Sequence, residues 1–289
     1  MMSMIAQSCN KNKFGQYAGI VNMGVASIAV TLGPIFITQL LNVTSWNMAF
    51  LISSLPSFIV SLLLIKFTKE VVTSKEEKTV TSGTNLTSFI EIFKYRNIVI
   101  CGIVAILIMS AYWTLMLFAS IYWVNVAKIS VEKMGFITSG MGLVCIAWTV
   151  IIPKLSDNFG RKNMMIVFCL VGAVVPLTMY FMTDSRISMY VYMVLGGVSG
   201  SITPLFLTII PMETVPKHLK ATSNGLMLAC GEVIGGAIYP VIAGSIADAK
   251  GLPFTMLVAS ILLLGGMVIS FLLVETNSSQ VKALNEAVS

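Results

Sequence analysis

Eight stretches of the chain, near residues 16–41, 47–65, 97–123, 134–153, 163–182, 189–211, 221–247 and 254–274, run almost free of charge. Each reaches about the 20 residues that a helix needs to cross a bilayer. The runs are continuous and do not alternate between polar and apolar residues, which selects helices over barrel strands. Such a chain has few soluble folds open to it. Composition closes the rest: 56% of the residues are hydrophobic and only 10% are charged, against about 25% charge in an ordinary soluble domain. The expectation is an all-α integral membrane bundle of eight transmembrane helices, with lipid in place of water as the solvent.

Charge distribution gives the direction of the chain. With the first segment placed inside, fourteen of the 18 Lys and Arg residues fall on the inner side. Only Lys128, Lys133, Arg186 and Lys250 fall outside. That asymmetry follows the positive-inside rule and predicts that both termini are cytoplasmic. The net charge of +6 is thereby read as topology, with no nucleic-acid partner implied. Met1–Phe14 has two lysines where a signal peptide needs an apolar stretch.

The linkers divide the chain. Asn42–Trp46 is so short that the first two runs must form an antiparallel hairpin. Residues 67–96 form a long polar connection, expected to be a cytoplasmic loop with a short interfacial helix at Phe89–Phe93. The predicted organisation is therefore two helices in 1–66, this loop, a six-helix bundle in 97–275 and a tail in 276–289.

Few residues carry chemistry. Four of the five cysteines, Cys101, Cys145, Cys169 and Cys230, lie inside runs, where thiols behave as small hydrophobes. His218 is the only histidine and is expected to be solvated. No metal site and no cofactor is expected, and no nucleophile–histidine–acid set points to an enzyme. The glycine pairs at 196–197 and 235–236 follow no strand, so nucleotide-loop readings fail on context.

Glu232 is the one acid deep within a run, and an intramembrane carboxyl is costly unless paired or hydrated. Helical spacing puts it with Gly225, Gly235, Gly236, Tyr239 and Ala243, a small-residue face expected to point into protein. Proton or substrate coupling and a structural hydrogen bond both remain open for it. Tyr112 and Trp113 offer aromatic area with polar tips, suited to a cavity wall. Trp123 is placed in an interfacial aromatic belt. Ser199 and Thr203 share a face and either line a cavity or bond their own backbone.

The corner PKLSDNFGRK, residues 153–162, together with its position between the second and third of the last six runs, resembles the major facilitator superfamily of secondary transporters. Asp157, Gly160, Arg161 and Lys162 match that family's loop motif, while Pro153 and Asn158 depart from it. Glu213, Pro216 and Lys220 match the segment before its eleventh helix. Gly231–Asp248 is similar to the eleventh helix of the organic-anion and sugar-acid symporters. Trp46–Ile52 resembles the start of the sixth helix, and Ala29–Pro34 the fifth-helix glycine-proline motif.

Numbered on that pattern, the chain corresponds to helices five to twelve, which implies an incomplete first bundle and a fragment or truncated product. The resemblance further implies a plasma-membrane transporter that moves a small solute, an organic anion or sugar acid, in symport with protons. A non-transporting remnant and a drug-exporting proton antiporter are the alternatives. It also implies that Arg161 pairs with Glu213 or Asp157 in a gating network with Gly160, Lys162 and Lys220. Asp157 is expected at the positive N-terminal end of a neighbouring helix. The third and sixth helices of the last bundle are expected at its lipid-facing edge.

Overall fold

A computed structural model describes residues 25–67, 90–183 and 186–277. Among these residues all regular structure is helical: α1 (Val25–Leu41), α2 (Trp46–Phe67), α3 (Arg96–Asn125), α4 (Val131–Phe159), α5 (Arg161–Phe181), α6 (Arg186–Thr214), α7 (Lys217–Lys250) and α8 (Leu252–Ser270). Seven of them, α2 to α8, are long and apolar enough to span a membrane. The eighth predicted span is met only in part. α1 is described over 17 residues, and residues 16–24 of its run lie outside the described residues, as does most of the predicted loop between α2 and α3.

The helix boundaries have local causes. Ser130 caps α4, its Oγ accepting from the Lys133 backbone N–H at 3.3 Å. Gly251, at φ 87°, separates α7 from α8, which opens on Pro253 in its first turn. Two spans leave the regular 3.6-residue period. α6 turns at Gly196–Gly197 and winds as a π-helix over Leu205–Ile209, directly after Pro204 has removed a backbone donor. α7 is π-helical over the ten residues Ala229–Ile238.

α8 packs against both α5 and α3, and α3 also meets the π-helical part of α7. The core around Ile98, Val104, Ile108, Phe206 and Leu263 fills one half of the bundle. Tyr122, Trp123, Met141, Met179 and Tyr192 fill the other. The apolar periphery expected of α5 and α8 holds on one side only, since both bury a face that includes Cys169, Gly172, Ser260 and Leu263.

Outside this core, α1 lies along α4, while α2 buries only Ala49 among its described side chains. The α1–α4 contact is close: a Cβ at Gly142 would stand 2.6 Å from the Thr31 backbone nitrogen. Only a glycine lets the two backbones meet there.

Two sequence expectations change. Trp123 is fully buried, edge-on to Tyr122 and Tyr192 at 5.4 and 5.6 Å, and is no interfacial belt residue. Its position near the end of a run indicates depth but says nothing about which way the ring faces, and α6 covers that side. Residues 90–92 are helical, as expected, but they are not wholly interfacial: Ile92 is buried while Ile90 and Phe93 are exposed. Phe89 lies outside the described residues.

Candidate functional site

The corner between α4 and α5 is built around Gly160, at φ 94° and ψ 150°, a conformation essentially restricted to glycine. This allows α5 to begin at once with Arg161, leaving the first backbone N–H groups of the helix without intrahelical acceptors. Glu275, five residues after the end of α8, fills that place. Its Oε1 accepts from Arg161 N at 2.8 Å and its Oε2 from Lys162 N at 3.1 Å. A carboxylate on a helix N-terminus satisfies orphan donors and complements the helix dipole.

The Arg161 side chain turns inward and is buried. Its guanidinium meets Asp157 Oδ1 at 2.5 Å and donates to Ser156 Oγ at 2.7 Å. Towards α6 it forks onto Glu213, with Nη2 to Oε1 at 3.0 Å and Nε to Oε2 at 3.4 Å. Thr276 Oγ1 donates to the same Glu213 Oε2 at 2.6 Å. Asn277 Nδ2 donates to the Asp157 carbonyl at 2.7 Å, and Asn97 exchanges two 2.9 Å hydrogen bonds with the Val274 backbone. One buried cation thus ties the ends of α4, α5 and α6, and the strand of chain after α8 ties them again to α3. Removing one partner from a buried charge pair costs about 3–5 kcal/mol.

Asp157 is therefore not on a helix N-terminus as expected. It lies one turn before Arg161 on the α4 side, where the returning guanidinium takes it. The N-terminal carboxylate is Glu275, on α5. Sequence reasoning passed over Glu275. The signal was available, because Glu275 is an acid just beyond the last apolar run, where the charge rule gives acids little weight. The side chains of Lys162 and Lys220 are half-buried and form no ion pair among the described residues. His218 is exposed, 4.0 Å from Glu91.

A second set lies within the spans. Glu232 is exposed on the surface of α7, not turned into protein. The buried face of α7 is Ser223, Met227, Gly231, Gly235 and Ala243, and Glu232 follows one residue after it. Trp113 Nε1 donates to Glu232 Oε2 at 3.1 Å. Tyr112 stands edge-on to Trp113 at 5.6 Å and packs its ring against Gly200 of α6. Gly236 leaves room for the pair, since a Cβ there would come within 2.7 Å of the indole nitrogen. Ser199 and Thr203 do not join them. Both are buried, and their hydroxyls bond the carbonyls of Gly196 and Gly200 at 3.5 and 2.7 Å. The backbone-bonding reading fits this geometry; a cavity-lining one does not.

A helical bundle with seven candidate spans, a charge cluster around the buried Arg161 at one end and, among the described residues, one carboxylate held by an indole at mid-span defines a multi-pass membrane protein. The family model described as Major Facilitator Superfamily matches residues 1–233, and the chain belongs to that family, whose members are secondary transporters and not enzymes. No curated protein matches the chain.

Proposed function

We propose that this protein is a proton-coupled secondary transporter of a small organic solute in the plasma membrane, working by alternating access, with the Arg161 cluster on the cytoplasmic side. The observation that carries the proposal is Glu232, a mid-span carboxylate on an exposed helix face with one oxygen held by Trp113. A charge facing lipid costs several kcal/mol, so a carboxylate on such a face belongs to a hydrated cavity, where it can take and release a proton. Rocking of two bundles about a midplane site then exposes it to each side in turn. The Arg161 cluster supplies the closed-state contacts at the inner end, and breaking them opens that end. On this reading both termini are cytoplasmic, as the Lys and Arg distribution implies.

Symport of a sugar acid is supported by the resemblance of Gly231–Asp248 alone; antiport of a drug-like solute draws on Glu232 and its aromatic neighbours. The test is uptake into proteoliposomes with and without a pH gradient, using labelled glucuronate and the fluorescent cation ethidium. Transport of either that follows the gradient and is lost in Glu232→Gln supports the proposal. Transport of neither supports the non-transporting remnant, and gradient-independent transport refutes proton coupling.

A further inference from the structure

Two spans begin beside each other at the Arg161 end of the bundle: α3, after the helical residues 90–92, and α7, after the short joint that follows α6. Below the surface, Ile92 and Leu219 are buried in one core cluster. At the surface, His218 Nε2 stands 4.0 Å from Glu91 Oε1. Asn97 Nδ2 donates to Thr214 Oγ1 at 3.4 Å. Residues 90–97 and 213–220 therefore present a common face.

That face is basic, with an apolar edge. Lys94, Arg96 and Lys217 are exposed, and Lys220 is half-buried. All four lie within four residues of the start of an apolar run, at 97 or 221. They stand where a span leaves the hydrocarbon, at the level of the lipid phosphates. The two acids of these segments are engaged: Glu213 accepts from Arg161 and Thr276, and Glu91 faces His218. Beside the cations, Ile90 and Phe93 are 60% and 49% exposed. The Phe93 N–H donates to the Ile90 carbonyl at 3.2 Å, which sets these two residues one turn apart. Exposed apolar side chains next to cations at this depth suit a bilayer interface, where the former enter the acyl region and the latter meet anionic headgroups.

We infer that Lys94, Arg96 and Lys217, together with Ile90 and Phe93, dock an anionic phospholipid. The three cations recognise its phosphate, and the apolar pair engages its acyl chains. A lipid held in this way bridges the start of α3 to the joint between α6 and α7. Glu213 lies at that joint, so an occupied site stiffens the Glu213–Arg161 contact. The inference needs only a chain that crosses a bilayer and is independent of the solute carried.

The full chain, delipidated in a non-ionic detergent, is titrated with dioleoyl phosphatidylglycerol, dioleoyl phosphatidylcholine or glycerol 3-phosphate, and bound molecules are counted by native mass spectrometry. Phosphatidylglycerol should bind about tenfold more tightly than phosphatidylcholine, and the combined Lys94→Gln, Arg96→Gln and Lys217→Gln variant should lose about tenfold or more of that affinity. Ile90→Ser with Phe93→Ser should weaken it about tenfold as well. Should the triple variant fail to fold, each single replacement keeps the site testable, with an expected loss of about threefold to fivefold. Lys128→Gln with Lys133→Gln, at the opposite end of the spans, should leave the affinity unchanged. An equal loss in that pair means a response to net charge alone and overturns the site, as does equal affinity for the two lipids. Glycerol 3-phosphate binding as tightly as phosphatidylglycerol, and indifferent to Ile90→Ser with Phe93→Ser, overturns the lipid assignment in favour of a soluble phosphate.

Discussion

Replacing Gly160 with alanine tests the corner at its tightest point. The backbone there sits at φ 94° and ψ 150°, where a residue with a Cβ is strained by about 1–3 kcal/mol. The new Cβ would also lie 2.6 Å from Glu275 Oε2, well inside the 3.4 Å of ordinary contact. The carboxylate must retreat, and its 3.1 Å bond to Lys162 N is the first to be lost. A hydrogen bond to a charged group contributes about 1.5–3 kcal/mol. The two effects together destabilise the corner by about 2.5–6 kcal/mol.

The assay is unfolding of the detergent-solubilised protein followed by tryptophan fluorescence, run as a double-mutant cycle with Glu275→Ala. In the Glu275→Ala background only the backbone strain remains, so Gly160→Ala should cost about 1–3 kcal/mol there. The cycle should return a coupling of about 1.5–3 kcal/mol. A coupling of less than about 0.5 kcal/mol, the scatter of independent sites, would mean that Glu275 does not cap α5.

Asp157→Asn keeps the shape of the side chain but removes a charge 2.5 Å from Arg161. Solute uptake should fall at least fivefold while membrane insertion, read by surface labelling, stays normal; normal uptake removes the gating role. Arg161→Ala leaves Glu213 and Asp157 facing each other without their cation, and should lower stability by about 3–5 kcal/mol, seen as a lower melting temperature than that of Asp157→Asn. Trp113→Phe deletes the 3.1 Å bond to Glu232. Because that pair is exposed, the loss should be about 0.5–1.5 kcal/mol, read as a roughly twofold to twelvefold rise in KM with little change in melting temperature. Gly142→Val forces a side chain into the Thr31 backbone and should loosen α1 from α4 by about 1–3 kcal/mol; faster hydrogen exchange confined to α1 is the signature to look for.

Particular residues show how far the sequence reaches. The spans were legible because lipid imposes a length of about 20 apolar residues on any helix that crosses it, and α3 to α8 follow the predicted runs closely. The corner was legible as a motif, and the possible partners of Arg161 were named from it. Glu232, Trp113 and Tyr112 stood out because charged and aromatic polar groups are scarce in a span. The rest depended on rotation about helix axes. Glu232 was assigned to the buried face on a 3.6-residue period, whereas α7 is π-helical at that point and carries the carboxylate outward. Trp123 and the Ser199–Thr203 pair were judged by depth and spacing, yet their burial depends on which neighbour covers them.

Local composition alone determined that this chain crosses a membrane as helices, because the solvent sets that requirement residue by residue. Only the tertiary structure decided that Glu275 closes the N-terminus of α5 beside Arg161, 114 positions away in the chain. It also decided that Trp113 on α3 holds Glu232 on α7 across 119 positions. A hydrogen bond or an ion pair acts over about 3 Å in space, and separation along the chain carries no record of such a distance until the helices have packed.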